Sequence, residues 1–115
     1  MADSFSEKEV SILFKTARRA LRHPGLDILC APTTKKNGRI LVITARSTGT
    51  APKRNLIRRR LKAIFFEEKL FELKFDCIVI IKKIGINLTF EQLRELLVGT
   101  LKKYEENFIH RNLAD

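Results

Sequence analysis

At 115 residues, 44% hydrophobic, the chain can bury a modest core as a single domain over 1–115, with its core over about residues 4–108. Abundant Ile and Leu with eight Phe exclude a disordered chain, although 31% of residues are charged. Twenty-three Lys and Arg against 13 Asp and Glu leave a net +10, which points to a polyanionic partner.

The first ten residues have neither the basic nor the apolar stretch of a signal peptide, so none is expected. Ser6 with Glu9 three residues on has the spacing of a capping box and opens a first helix. Val10, Leu13, Phe14, Ala17 and Leu21 recur at helical spacing, and His23-Pro24-Gly25 is expected to end that helix. Two strands follow, Leu26 to Ala31 and Arg39 to Thr44, both rich in Ile, Leu and Val. The Asn37-Gly38 step between them predicts a tight hairpin. A second helix starts with Thr50 as N-cap and Pro52 in its first turn. Phe75 to Ile81 reads as a third strand. Its apolar run, Cys77–Ile81, is far short of the ~20 residues a membrane helix needs. Asn87-Leu88-Thr89 matches a glycosylation sequon, but with no secretory route it reads as a helix start. Thr89 and Gln92 repeat the capping-box spacing and open a third helix. Leu93, Leu96, Leu97, Leu101 and Tyr104 form its buried side, with Phe108 if it continues, and residues beyond Phe108 are expected to fray. Cys30 and Cys77, with no CxxC spacing, are expected to be reduced core side chains rather than metal ligands. The pattern is α+β, and the expected location is the cytoplasm, with no membrane partner.

The surplus charge has an address. Between Ile28 and Phe66 lie Lys35, Lys36, Arg39, Arg46, Lys53, Arg54, Arg58, Arg59, Arg60 and Lys62, with no Asp or Glu. The remainder is neutral, 13 basic residues against 13 acidic. On the second helix Ile57, Leu61, Ile64 and Phe65 share one arc at about 100° per residue. Arg54, Arg58, Arg59 and Lys62 fan along the next arc, and Arg60 falls on the other flank beside Glu67. Bases crowd the first half while Glu67 and Glu68 come late. That order opposes the helix dipole, whose N-terminal end favours anions. A solvated face normally mixes signs and avoids this arrangement. An external phosphate removes the repulsion, and Arg binds it with forked contacts. Charge alone does not separate DNA from RNA, and no helix-turn-helix, zinc-finger or zipper pattern is present.

Arg54-Asn55-Leu56-Ile57-Arg58-Arg59-Arg60-Leu61-Lys62 resembles the Arg-Asn-x-x-basic-Arg-x-x-basic motif of the protein subunit of bacterial ribonuclease P. Gly49-Thr50-Ala51 is similar to that family's Gly-Asn-Ala step into the same helix. Leu13-Phe14 with Ala17-Arg18-Arg19 resembles its first helix end, Asp27 to Pro32 its first strand, and Cys77 to Lys83 the strand before its last helix. The match covers about residues 4–105.

The resemblance implies a small mixed sheet of about four strands packed with three helices, an α/β sandwich with a left-handed strand-helix-strand crossover, against the usual hand. It implies a subunit of ribonuclease P that assists a catalytic RNA in removing the 5′ leader from precursor tRNA. The partners would be that RNA and precursor tRNA, not DNA. Mg²⁺ would be used by the RNA subunit, with none bound by the protein and no catalytic residue of its own. Arg46, Arg54, Asn55, Arg58, Arg59 and Lys62 would contact RNA, joined by Lys53 on charge. Phe14 and Leu29 would line the leader cleft between the sheet and the first helix, Phe14 being readable as core as well. Departures fall on that cleft. Val10 and Leu29 replace the family's Phe and Tyr, Ala45 and Ser47 flank Arg46 where Ser and Lys are usual, and the extreme N-terminus leans acidic. A weakened leader contact is therefore expected.

Two other classes compete. A self-sufficient nuclease needs converging carboxylates or a placed His. Asp27, Asp76, Glu67, Glu68, His23 and His110 are scattered at element ends or on different faces. A compact ribosomal-type or other structural RNA-binding protein would share the charge without a role in cleavage.

Overall fold

The computed structural model describes residues 5–113, so Met1–Ser4, where the expected core begins and part of the acidic-leaning N-terminus falls, lie outside the described residues. In chain order the elements are α1 (Glu7–Thr16), β1 (Arg18–Arg22), β2 (Leu26–Pro32), β3 (Ile40–Thr44), α2 (Ala51–Glu67), β4 (Phe75–Ile81) and α3 (Phe90–Leu113). Short 3₁₀ turns at Arg46–Thr48, Leu70–Leu73 and Ile84–Asn87 join them.

The strands form one mixed sheet in the order β1-β2-β4-β3. β1 and β2 pair antiparallel, as do β2 and β4, whereas β3 and β4 run parallel and α2 makes the crossover between them. β4 is central, and Cys77, Ile78 and Val79 are fully buried, which explains its unbroken apolar run. Leu26, Ile28, Cys30, Ile40, Val42, Cys77, Val79 and Ile81 face α2 and α3, meeting Ile57, Leu61, Ile64, Phe65, Leu93, Leu97 and Leu101. The other face carries Leu29, Ala31, Leu41, Ile43, Ile78 and Ile80, and α1 docks there through one buried residue, Leu13. Both expected capping boxes are present: Ser6 with Glu9, and Thr89 with Gln92.

Two expectations are corrected. The first helix stops at Thr16 rather than at His23-Pro24-Gly25. Ala17 turns extended, and Arg18–Arg22 becomes β1, taking the free edge of β2. A bulge between Arg19 and Leu21 lets Ala20 and Leu21 both pack on the main core. That irregularity breaks the two-residue alternation and makes the strand resemble a helix tail. Secondly, Asn37-Gly38 does not close a hairpin, because β4 lies between β2 and β3. Gly38 serves a close approach instead: a Cβ there would sit 2.2 Å from the Phe75 carbonyl oxygen. α3 continues past Phe108 to Leu113, and the Phe108 ring joins its packed side, edge-on to Phe75 at 5.2 Å.

Cys30 and Cys77 face each other in register across β2 and β4, buried and free. Burial pushes the Cys30 thiol up to about 12 and the Cys77 thiol well above its usual value.

Candidate RNA interface

α2 begins where β3 ends, at the sheet edge, and its apolar arc fixes which side it presents. Ile57, Leu61, Ile64 and Phe65 are buried as expected. Lys53, Asn55, Arg59 and Lys62 are thereby exposed, and Arg54 and Arg58 are half-buried along the margin. Arg46 is exposed in the 3₁₀ turn leading into the helix, between the exposed Ala45 and Ser47. Arg58 Nη1 donates to Asn55 Oδ1 at 3.1 Å, which orients the guanidinium from one turn below.

The electrostatics of this end are uncompensated from within. The first turn of α2 holds no acid and the last turn no base. Among the described residues, none of Arg46, Lys53, Arg54, Arg58, Arg59 or Lys62 forms an ion pair with a carboxylate. Glu68, at the far end, is 3.9 Å from Arg94 of α3 instead. Thr50 has the extended N-cap backbone, but its side chain makes no capping hydrogen bond, contrary to the usual role of Thr there. Free N–H groups and crowded cations therefore coincide at one helix start, the arrangement that binds phosphate.

Two cations counted with the basic stretch do not belong to this surface. Arg39 is 8% exposed, its guanidinium 3.1 Å from Glu9, 3.6 Å from Asp76 and 4.0 Å above the Phe5 ring. Lys35 lies 3.8 Å from Glu9. Sequence proximity groups both with the cluster, whereas the fold sends them to the α1 end of the sheet.

The expected leader cleft is an open strip of sheet beside α1. Val10 and Phe14, four residues apart, share a flank of the helix next to Leu13. Phe14 is 44% exposed, so of its two readings the core one is excluded. Leu29 is half-buried on the facing sheet, in a row with Ile78 and Leu41. Ile43 and Ile80 form the next row, so the two rows that the sheet contributes are aliphatic apart from Asp27. Asp27 ends that row, 2.9 Å from Lys82 Nζ and 3.9 Å from Arg19. Burial would raise its carboxyl, but Lys82 and then Arg19 outweigh that and hold it below the usual value. The pairing of Arg19 and Lys82 with Asp27 is not visible in the sequence, because the three lie on different strands or just beyond one.

Three of the groups weighed for a self-contained nuclease make structural contacts. Asp27 serves Lys82, Asp76 serves Arg39, and His23 Nδ1 accepts from the Gly25 N–H at 2.9 Å. Among the described residues no three His, Cys, Asp or Glu lie close enough to hold a metal ion. Among the described residues no helix is long and apolar enough to cross a membrane.

A four-stranded mixed sheet backed by a crossover helix, whose basic face meets no carboxylate among the described residues, defines a small α+β protein. The ribonuclease P family model matches residues 6–105. The chain belongs to the ribonuclease P protein family, and its role is that of the protein subunit of bacterial ribonuclease P, a tRNA-processing ribonucleoprotein, in association with the ribonuclease P RNA. The RNase P protein of Thermotoga maritima superposes with a TM-score of 0.75 at 23% identity, over 90% of this chain and 97% of that one. That of Staphylococcus aureus gives 0.74 at 20% identity, over 88% and 93%. A search of curated proteins finds no match.

Proposed function

We propose that α2 holds the catalytic RNA through Arg46, Lys53, Arg54, Asn55, Arg58, Arg59 and Lys62, and that the strip beside α1 receives the 5′ leader of precursor tRNA. The observation that carries this reading is the helix start itself: a row of Arg and Lys with no carboxylate paired to it among the described residues. Hydrolysis and its Mg²⁺ belong to the RNA subunit in this reading. The chain supplies positioning and charge neutralisation, in the cytoplasm. Neutralising phosphates on both RNAs lowers the divalent-ion concentration at which they pack together.

Reconstitution tests it. The chain is added to a bacterial ribonuclease P RNA with precursor tRNA, and leader removal is followed against Mg²⁺. Cleavage at lower Mg²⁺ than the RNA needs alone is the expected result. Cleavage by the protein without RNA, or an unchanged Mg²⁺ requirement, would overturn the assignment.

A further inference from the structure

At the sheet edge opposite α2, a cavity of about 340 Å³ lies between β1 and the C-terminal half of α3. Gly99, Lys103, Asn107 and Arg111 recur every fourth residue of α3 and so line one side of it. Tyr104 and Phe108 form the adjoining row, their rings nearly parallel at 6.4 Å. From the strand comes Arg18, which pairs in register with Cys30 on the helix-bearing face. A Cβ on Gly99 would meet nothing within 4 Å, so the groove is open there.

The chemistry of this groove resembles that of α2 without sharing a residue with it. Arg18, Lys103 and Arg111 are exposed, and among the described residues none is ion-paired. Glu105 and Glu106, the acids of this stretch of α3, are not part of the lining. Burial raises the Tyr104 phenol, and the charges of Arg111 and Arg18 oppose that, which places both cations within electrostatic reach of the ring. Three unneutralised cations from two elements, around an aromatic floor of nucleotide size, complement a phosphate with its base.

We propose that this groove is a second RNA-contacting site, holding one nucleotide of the ribonuclease P RNA, its phosphate among Arg18, Lys103 and Arg111 and its base over Tyr104 and Phe108. The site rests on the ribonucleoprotein reading above. Four strands spaced about 4.8 Å apart put roughly 14 Å of sheet between the two edges. The RNA would therefore grip the helical layer from both sides.

Filter binding of a bacterial ribonuclease P RNA transcript over a salt series tests this. The variants are Arg18→Gln/Lys103→Gln/Arg111→Gln, Arg58→Gln/Arg59→Gln, and Lys102→Gln as a charge control outside the groove. The triple variant should bind about tenfold more weakly, with its salt slope reduced by about 0.7–0.9 for each phosphate it no longer neutralises, while Lys102→Gln matches wild type. Wild-type binding by the triple variant beside a weakened Arg58→Gln/Arg59→Gln overturns the groove and leaves the α2 interface standing. Undiminished binding by both variants defeats the RNA-binding reading itself. An equal weakening in Lys102→Gln assigns the effect to overall charge and also overturns the groove. Should the triple variant melt early by circular dichroism, Arg111→Glu alone, on an exposed residue near the end of α3, reports on the same phosphate.

Discussion

The guanidinium of Arg39 lies 3.1 Å from the Glu9 carboxylate, tying the first turn of α1 to the residue that precedes β3. Asp76, at the start of β4, accepts the Arg39 backbone N–H at 2.9 Å and completes the cluster. With Leu13 as the one buried anchor of α1, this pair fixes where the helix sits over the sheet and hence how wide the strip beside it opens.

Glu9 titrates far below its ordinary 4.5, at about 2, because the Ser6 backbone N–H and then the Arg39 guanidinium favour the carboxylate. A folded value below the unfolded one makes the pair stabilising above pH 4.5, and that stabilisation fades as pH falls toward about 2. Glu9→Gln keeps an acceptor for the cap and removes the charge. Its melting temperature should lie below wild type at pH 7, with the gap closing progressively below pH 4.5. A gap that stays constant from neutral pH to pH 3 would remove the Arg39 contribution.

Arg58→Ala and Arg59→Ala should weaken RNA binding, and each should lower the salt slope by about 0.7–0.9 for every phosphate left unneutralised. Thermal stability should hold or rise slightly, since repulsion against the helix dipole is relieved. Arg58→Ala also frees Asn55 from its 3.1 Å hydrogen bond, so it should weaken binding more than Arg59→Ala. A variant that unfolds with its salt slope intact would contradict the interface.

Gly38→Ala should destabilise the protein by about 1–3 kcal/mol, because the added methyl meets a backbone oxygen that cannot turn aside. Chemical denaturation measures this. A variant as stable as wild type would mean that the loop shifts freely from β4, which its 2.9 Å hydrogen bond from the Gly38 N–H to the Phe71 carbonyl opposes.

Leader dependence should be small. Leu29, Leu41, Ile43 and Ile80 offer aliphatic contact where stacking would need rings, and Phe14 alone supplies one from α1. Affinity of the assembled ribonucleoprotein for precursors with long and absent leaders should differ by only a few fold. A gain of a hundredfold with the leader would refute weakened contact.

Local chemistry is legible in the residue order. Capping boxes at Ser6 and Thr89, the arc of Ile57, Leu61, Ile64 and Phe65, and the limits of β4 depend on neighbours within a few positions, and the structure bears each of them out. The motif Arg54–Lys62 carries the family for the same reason: its spacing lies within one helix. Partners distant in sequence escape that reading. β1 exists because β2 has an edge to satisfy, and a bulge hides its alternation. The hairpin fails because β4, many residues later, takes the place beside β2 that β3 would have filled.

The row of Arg and Lys along α2 follows from sequence alone, because helical spacing and charge order are properties of one short segment. Which basic residues stay available is decided only by tertiary structure, since neutralisation depends on distances through space. Folding brings Glu9 and Asp76 to Arg39 and, among the described residues, leaves Arg58 and Arg59 without a carboxylate partner.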